Sequence, residues 1–236
     1  MSRIHNPYRT EKIAHALLLS ATVMVVLPVI GILAIIIQKG AGAISWEFLS
    51  AMPKNGMREG GIFPAIVGTI YLVLGTLIFS LPLGVMTAIY LTEYAKDNVL
   101  TRLVKLAIIN LAGVPSVVYG LFGLGVFVMF LKFGSSILAG SLTLAIMVLP
   151  IIITTTREAL DSVPQSFREV SLSLGVSKWQ TIQHAVLPHA LPGILTGIIL
   201  AISRAAGETA PILFTVAAFY LPHLPQSIFD QAMALP

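Results

Sequence analysis

The segment Arg168–Pro188, with the sequence REVSLSLGVSKWQTIQHAVLP, is a polar stretch between two long apolar runs. The runs on either side are Ser135–Ile153 and Leu191–Phe219. Each is long enough to cross a hydrocarbon core of about 30 Å, which takes roughly 20 helical residues. The polar segment is therefore predicted to be a loop outside the membrane that joins two spans.

The whole composition is that of a membrane protein, since 56% of the residues are apolar and 10% are charged. The apolar runs are continuous and do not alternate, so they predict helices and not barrel strands. The fold class is thus predicted to be all-α, a polytopic helical bundle. Its five predicted spans are Ile13–Ile37, Pro64–Tyr90, Leu106–Leu131, Ser135–Ile153 and Leu191–Phe219.

Two short helices are predicted in the loop between the fourth and fifth spans. The pairs Ser162–Gln165 and Ser177–Gln180 have the spacing of a capping box, in which two side chains satisfy amides at a helix start. Gly175 supplies a left-handed turn between the helices, and Pro188 is predicted to end the second one before the membrane. An ordinary interfacial loop is the alternative interpretation.

The basic residues predict the orientation of the spans, because Lys and Arg resist translocation. Nine of them lie in segments predicted to be cytoplasmic, and four lie on the opposite side. The nine are Arg3, Arg9, Lys12, Lys96, Arg102, Lys105, Arg157, Arg168 and Lys178, and the four are Lys39, Lys54, Arg58 and Lys132. The amino terminus is therefore predicted to be cytoplasmic. No basic patch is interleaved with aromatic residues, so no nucleic-acid partner is expected.

The domain organisation follows from these spans. Residues 1–12 are predicted to be a cytoplasmic segment, and 13–220 a transmembrane domain that contains the cytoplasmic loop 157–188. Five spans leave residues 221–236 on the extracytoplasmic side. That segment is expected to lead to a sixth span that this chain lacks.

No catalytic set is evident, and no metal site is predicted. The chain has no cysteine, no paired carboxylates or Ser/His/Asp set in a catalytic context, and no Gly-rich loop ending in Gly-Lys-Ser/Thr. The chain therefore has no P-loop that could bind the phosphates of a nucleotide. His184 and His189 are interpreted as interfacial residues. No cofactor is expected on this chain, and ATP hydrolysis would need another polypeptide.

Charged and helix-breaking residues occur together in the fifth span. Arg204 and Glu208 are four residues apart and are predicted to share a helix face near mid-membrane. A lone arginine there costs about 2.5–3.5 kcal/mol on translocon scales. Pro211 has no N–H for the carbonyl of Gly207, so a kink is expected. Either the pair locks helix packing, or Arg204 faces a wet path for an anion while Glu208 orients it.

A stripe of small residues in the same span predicts close packing against another helix. Its members repeat every four residues and are Gly193, Gly197, Ala201 and Ala205.

The loop resembles the EAA loop of importer-type ABC permeases. Glu169, Ser171, Gly175 and the pair Leu187–Pro188 fall at that motif's spacing. The resemblance implies that the loop docks into a groove on an ATP-hydrolysing subunit, with the glutamate at its start and the glycine at its turn. The chain departs mildly from the motif, with Val170 and Ser171 in place of Ala-Ala and Ala185 in place of a branched residue.

The run Arg204-Ala-Ala-Gly-Glu-Thr-Ala-Pro-Ile-Leu-Phe214 is similar to the signature of phosphate-specific ABC permeases of the A-type. The resemblance places Arg204, Glu208, Thr209 and Pro211 in the translocation path. Further similar stretches are Gly60–Pro64, Leu91–Tyr94, Pro115–Phe122, Pro150–Arg157 and Ser227–Met233. Family members carry a final span after the region that matches Met233.

The resemblance implies an importer of inorganic phosphate in a bacterial or archaeal cytoplasmic membrane. Its other parts would be a C-type permease, two ATPase copies that bind ATP and Mg²⁺, and an extracytoplasmic phosphate-binding protein. An importer of another oxyanion or small solute stays open, because the loop does not report the substrate. An ion-coupled secondary transporter or a signalling membrane subunit is the alternative from a different class.

Overall fold

The computed structural model describes residues 7–56, 58–221 and 223–236. All regular structure in those residues is helical, which confirms the all-α prediction. The chain divides into two compact units, residues 1–51 and 52–236, so the predicted domain 13–220 spans the division. Of the predicted N-terminal segment 1–12, residues 1–6 lie outside the described residues.

The first unit is dominated by one long helix. Helix α1 spans Pro7–Gly40, a 3₁₀ turn follows at Ala41–Ala43, and α2 spans Trp46–Ser50. The stretch Glu11–Ala43 is long and apolar enough to cross a membrane. The hydroxyl of Ser45 accepts a hydrogen bond from the amide of Phe48 and so caps the start of α2.

The second unit contains the other helices. They are α3 (Phe63–Ile89), α4 (Val99–Ala112), α5 (Ser116–Gly123), α6 (Ile137–Asp161), α7 (Gln165–Ser173), α8 (Lys178–Thr181), α9 (Leu187–Ala206) and α10 (Ala210–Thr215). Wider π-helical turns extend α3 over Tyr90–Tyr94 and α5 over Leu124–Phe130, and a third joins α8 to α9 over Ile182–Val186. In this unit the stretches Phe63–Tyr94, Ile137–Asp161 and Lys178–Ala206 have the length and apolarity of spans.

The third predicted span is not one straight helix. Helices α4 and α5, the latter with its π-helical extension to Phe130, have the length and apolarity of a span only together, and the chain bends by 101° between them. The bend falls at Gly113–Pro115, where the proline has no amide for the carbonyl of Leu111. That carbonyl accepts hydrogen bonds from the hydroxyl of Tyr119 at 2.7 Å and from the amide of Val114 at 3.2 Å, which stabilise the bend.

Helix α6 lies at the centre of the second unit and packs against α3, α5, α9 and α10. Its buried side chains Leu144, Val148 and Ile152 form one cluster with Leu72 of α3. Buried hydroxyls in these helices bond to the carbonyl four residues earlier, as Thr76 and Thr143 do at 2.7 Å. These two hydroxyls are thereby satisfied inside an apolar bundle, whereas Thr156 Oγ1 of α6 is buried without a hydrogen-bond partner among the described residues.

The segment 221–236 packs on the ends of two spans. The amide of Ile137, at the start of α6, donates to the carbonyl of Asp230 at 2.9 Å. The amide of Leu235 donates to Thr69 Oγ1 of α3 at 3.0 Å. Pro222 lies outside the described residues. The predicted extracytoplasmic segment thus packs at the opposite end of the bundle from the loop that holds α7 and α8.

Candidate functional site

Helices α7 and α8 form a hairpin, Gln165–Thr181, at the end of the second unit where α3 and α6 terminate and α9 begins. Gly175 adopts φ +79°, the left-handed conformation that the predicted turn requires. The capping box of Ser177 and Gln180 is confirmed, since each side chain bonds to the other residue's backbone amide. Between the two helices, Ser171 Oγ lies 2.9 Å from Thr181 Oγ1.

Two details of the predicted hairpin are wrong. Ser162 does not cap α7, because its hydroxyl donates to Ala159 at the end of α6, and α7 begins at Gln165 after Pro164. Pro188 does not end the second helix, because one helical stretch runs from Lys178 to Ala206. Pro188 has no backbone N–H to donate, and the π-helical turn before it accommodates the missing hydrogen bond. Leu187 is half-buried, and Pro188 is exposed in the first turn of α9.

The outer side of the hairpin carries an apolar groove of 430 Å³. Its lining residues are Ser166, Phe167, Val170, Ser171, Leu174 and Ala185. Val170 is 61% exposed and Leu174 is 79% exposed. Glu169 is also exposed, beside this face. Large apolar side chains that lie exposed on a polar loop indicate a protein-binding surface.

Sequence reasoning missed the residues that hold the hairpin to the spans. Arg168 Nη2 lies 2.7 Å from Glu93 Oε1, in the π-helical turn that extends α3. The two side chains are only 12% and 7% exposed. Lys178 Nζ also donates to the carbonyl of Glu93. The only sequence signal was the Leu91–Tyr94 stretch, which the family resemblance includes.

The hinge conformation can be tested by substitution at Gly175. A β-branched residue at this positive φ costs about 1–2 kcal/mol, whereas asparagine tolerates it. A side-chain carbon added at this position would have no other atom within 4 Å, so φ alone distinguishes the two residues. We expect Gly175→Val to raise hydrogen exchange of the amides in 165–181, and Gly175→Asn to leave it unchanged. Equal exchange in both variants would contradict the hinge.

The charged pair of the fifth span lies at a helix end. Helix α9 ends at Ala206, so Arg204 occupies its last turn and Glu208 lies beyond it. Arg204 Nε is 3.2 Å from Glu208 Oε1, and the two side chains are 45% and 14% exposed. A cation in the last turn of a helix is stabilised by the helix dipole. The prediction of one shared helix face is therefore wrong, although the two groups do meet.

The predicted kink at Pro211 is a full break. Gly207, Glu208 and Thr209 separate α9 from α10, and Pro211 lies buried in the first turn of α10. A proline is favourable there because the first amides of a helix have no intrahelical partner. Thr209 is exposed at the break.

The break packs beside the bend between α4 and α5. A side-chain carbon at Gly120 of α5 would meet Phe214 at 2.7 Å and the carbonyl of Ala210 at 3.1 Å, so α5 and α10 are in backbone contact. Tyr119 belongs to the same buried cluster as Ala205 of α9. Two discontinuous helices therefore meet next to Arg204 and Glu208. Discontinuous helices are typical of binding sites in membrane transporters.

The small-residue stripe of α9 lies against α6. A methyl group at Gly193 would come within 2.6 Å of Ala159 Cβ, and one at Gly197 would overlap Thr155 Oγ1. Ala201 and Ala205 are fully buried.

Gly197→Ala is expected to lower the thermal unfolding midpoint of the detergent-solubilised protein. Overpacking costs up to about 3 kcal/mol where an added carbon overlaps a neighbouring atom, whereas the gain in helix propensity is roughly 1 kcal/mol. Gly125→Ala is the matched control, because no atom lies within 4 Å of the added carbon. An unchanged midpoint for Gly197→Ala would show that α6 and α9 do not pack this closely.

The remaining candidate ligands are placed as follows. His184 Nδ1 and His189 Nδ1 lie 3.1 and 2.8 Å from carbonyls of their own helix. In the described part of the chain, no group of three or more His, Asp or Glu side chains is placed to hold a metal ion.

The sequence is similar to permease proteins of transport systems. A phosphate transport system permease protein PstA from Yersinia pestis is 37% identical over 96% of this chain and 81% of its own length. The protein of that name from Mycobacterium leprae is 34% identical over 95% of this chain and 74% of its own. A probable ABC transporter permease protein, YqgI from Bacillus subtilis, is 34% identical over 87% and 70%.

The fold has a counterpart among solved structures. A chain of the MetNI methionine ABC transporter, in an inward-facing conformation, matches with a TM-score of 0.50 at 20% identity. The match covers 61% of this chain and 68% of that chain. Residues 80–235 match the family described as binding-protein-dependent transport system inner membrane component. The hairpin, the two broken helices and the position of Arg204 all lie within the matched residues, and the chain belongs to this family of multi-pass inner-membrane transport subunits.

Proposed function

We propose that this chain is the A-type permease subunit of an ATP-driven importer of inorganic phosphate. The hairpin carries the proposal. It combines an exposed apolar groove with a buried ion pair to the end of α3. Movement of a protein bound at the groove would therefore be transmitted to the spans. In the proposed importer this partner is an ATPase dimer, which docks around Glu169, Ser171 and Gly175, with Leu187 and Pro188 at the start of the following span.

ATP and Mg²⁺ belong to the ATPase in this proposal. The chain has no Gly-Lys-Ser/Thr loop in which a nucleotide would bind. In this proposal the chain is a non-catalytic subunit, which transmits the ATPase closure and forms half of the path.

Phosphate as the substrate is supported by the names of the relatives and by the charged break. Arg204 is half-exposed, and its Nε contacts Glu208 Oε1. Such a cation beside two broken helices attracts an anion, while Thr209 and Pro211 shape the break. In this proposal Arg204 lines the path, Glu208 orients it, and tight selection of phosphate belongs to an extracytoplasmic binding protein.

The proposed orientation has the hairpin in the cytoplasm. In the second unit, six basic residues lie at or near the hairpin end of the helices, three lie at the other end, and Arg204 lies in the last turn of α9. The six are Lys96, Arg102, Lys105, Arg157, Arg168 and Lys178, and the three are Lys54, Arg58 and Lys132. This excess supports a cytoplasmic hairpin. With five spans, the amino terminus is cytoplasmic as well, in a bacterial or archaeal cytoplasmic membrane.

The mechanism that we propose is alternating access. ATP binding closes the ATPase dimer, the hairpins of this chain and of a C-type permease move with it, and the two permeases rock about the path. The bilayer and the C-type partner cover the apolar side chains that the isolated chain exposes.

Cellular uptake tests the proposal. The chain is co-expressed with its partner subunits in a bacterium that lacks its own phosphate importers, and uptake of radiolabelled phosphate is measured at low external phosphate. We expect saturable uptake that stops when cellular ATP is depleted. Uptake that persists without ATP and collapses with the ion gradient would favour a secondary transporter, and uptake of sulfate alone would favour another oxyanion.

A further inference from the structure

Arg168 connects the hairpin to both spans that end beside it. Its Nε and Nη2 donate to Glu93 Oε1 at 3.0 and 2.7 Å. Its Nη1 donates to the carbonyl of Val163, and its Nη2 also donates to the carbonyl of Leu160, each at 2.9 Å. Four of the five guanidinium N–H groups are therefore engaged. Glu93 extends from α3, and Leu160 lies in the last turn of α6.

The environment makes this contact rigid. The Arg168 and Glu93 side chains are 12% and 7% exposed, whereas the surface pair Arg102–Asp97 is 71% and 80% exposed with atoms 3.8 Å apart. A charged hydrogen bond that is shielded from water is short and directional, and loss of one partner leaves the other charge buried and unpaired. An exposed pair contributes little.

The chain itself connects the hairpin unequally to the three spans. Helix α8 continues into α9 through the π-helical turn, and α6 reaches α7 through three residues, 162–164. Glu93, in the turn that extends α3, lies 71 residues before Pro164 in the sequence. Only side-chain contacts therefore make α3 follow the hairpin. Arg168, with Lys178 on the carbonyl of the same glutamate, supplies the polar contacts, while Ile89 of α3 packs in one apolar cluster with Val163 and Ile182.

We infer that Arg168 and Glu93 are positioning residues for energy coupling: their ion pair makes α3 and the end of α6 move as one body with the hairpin. The inference rests on the proposed function, because it presupposes an ATPase that moves the hairpin. Without the pair, ATPase closure would still move α9 and, through residues 162–164, the end of α6, while α3 would follow the hairpin less closely. ATP would then be hydrolysed with little transport.

The test uses the complete importer in proteoliposomes, with phosphate uptake and ATP hydrolysis measured in the same vesicles. For Arg168→Gln and Glu93→Gln we expect phosphate moved per ATP to fall about tenfold or more, because each leaves a buried charge unpaired. The ATPase should stay bound and active. Arg102→Gln, which removes the exposed pair, is the matched control and should leave the ratio unchanged. If the complex with Arg168→Gln does not assemble, Arg168→Lys takes its place in the same assay, because lysine keeps the charge but cannot make all four hydrogen bonds.

A reversible bridge distinguishes coupling from stability. The chain has no cysteine, so the two thiols of the double variant Glu93→Cys with Arg168→Cys are the only ones in this chain. A short bis-methanethiosulfonate reagent replaces the ion pair with a covalent link, since a direct disulfide needs closer backbones than a Glu–Arg contact provides. We expect phosphate moved per ATP to rise on bridging and to fall again after reduction.

Two results separate the inference from the proposed function. An equal ratio in the bridged and reduced states, with the bridge verified by mass spectrometry, would overturn the role of the pair. An unchanged ratio in Arg168→Gln would do the same. Absence of ATP-driven phosphate uptake by the unaltered complex would instead overturn the proposed function.

Discussion

Leu174→Asp is expected to release the ATPase from the importer complex. Leu174 is 79% exposed and lines the apolar groove of the hairpin together with Val170. A carboxylate there would lose its water on docking without gaining a partner. That costs at least about 3 kcal/mol, which weakens binding by more than about a hundredfold.

The measurement is co-purification of the ATPase with the tagged permease, followed by ATP-driven uptake. Ser173→Asp is the matched control, because it adds the same charge at the neighbouring residue, which is exposed and does not line the groove. Full recovery of the ATPase with Leu174→Asp would show that docking uses another surface.

Arg204→Gln is the second substitution with a large expected effect. If Arg204 lines the path, uptake should fall about tenfold to a hundredfold, because a hydrogen bond to a charged group contributes about 1.5–3 kcal/mol. The thermal midpoint should change little, since the Arg204 side chain is 45% exposed.

The packing alternative makes the opposite prediction for the same substitution. If the Arg204–Glu208 pair only locks the end of α9, Arg204→Gln should lower the thermal midpoint and leave transport per assembled complex normal. Arg204→Lys keeps the positive charge and is expected to retain a measurable part of the uptake. Normal uptake by Arg204→Gln would remove Arg204 from the path.

Local chemistry made much of the fold predictable. Continuous apolar runs predicted the long helices, Gly175 the turn, and Ser177 with Gln180 the start of α8, because each depends on residues a few positions apart. The same rules failed at Pro188 and Ser162. A helix can accommodate a proline by widening the turn before it, as at Pro188. A serine at a helix end can bond either to a carbonyl or to an amide, and Ser162 bonds to a carbonyl.

Contacts between distant segments were out of reach of sequence reasoning. Glu93 and Arg168 are 75 residues apart, and neither belongs to a periodic pattern from which their contact could be predicted. The 101° bend at Gly113–Pro115 is stabilised by the hydrogen bond from the Tyr119 hydroxyl to the carbonyl of Leu111, a contact within an apolar run that no periodic pattern indicates. The buried connection between hairpin and spans therefore had to come from the structure.

Uptake by proteoliposomes that contain this chain with its partner permease, ATPase and binding protein is the decisive assay for ATP-driven phosphate import. Phosphate, sulfate and phosphonate are compared, each with and without internal ATP. We expect phosphate uptake that requires ATP and exceeds uptake of the other two oxyanions. Phosphate uptake driven by an ion gradient in the absence of ATP would contradict the proposed function.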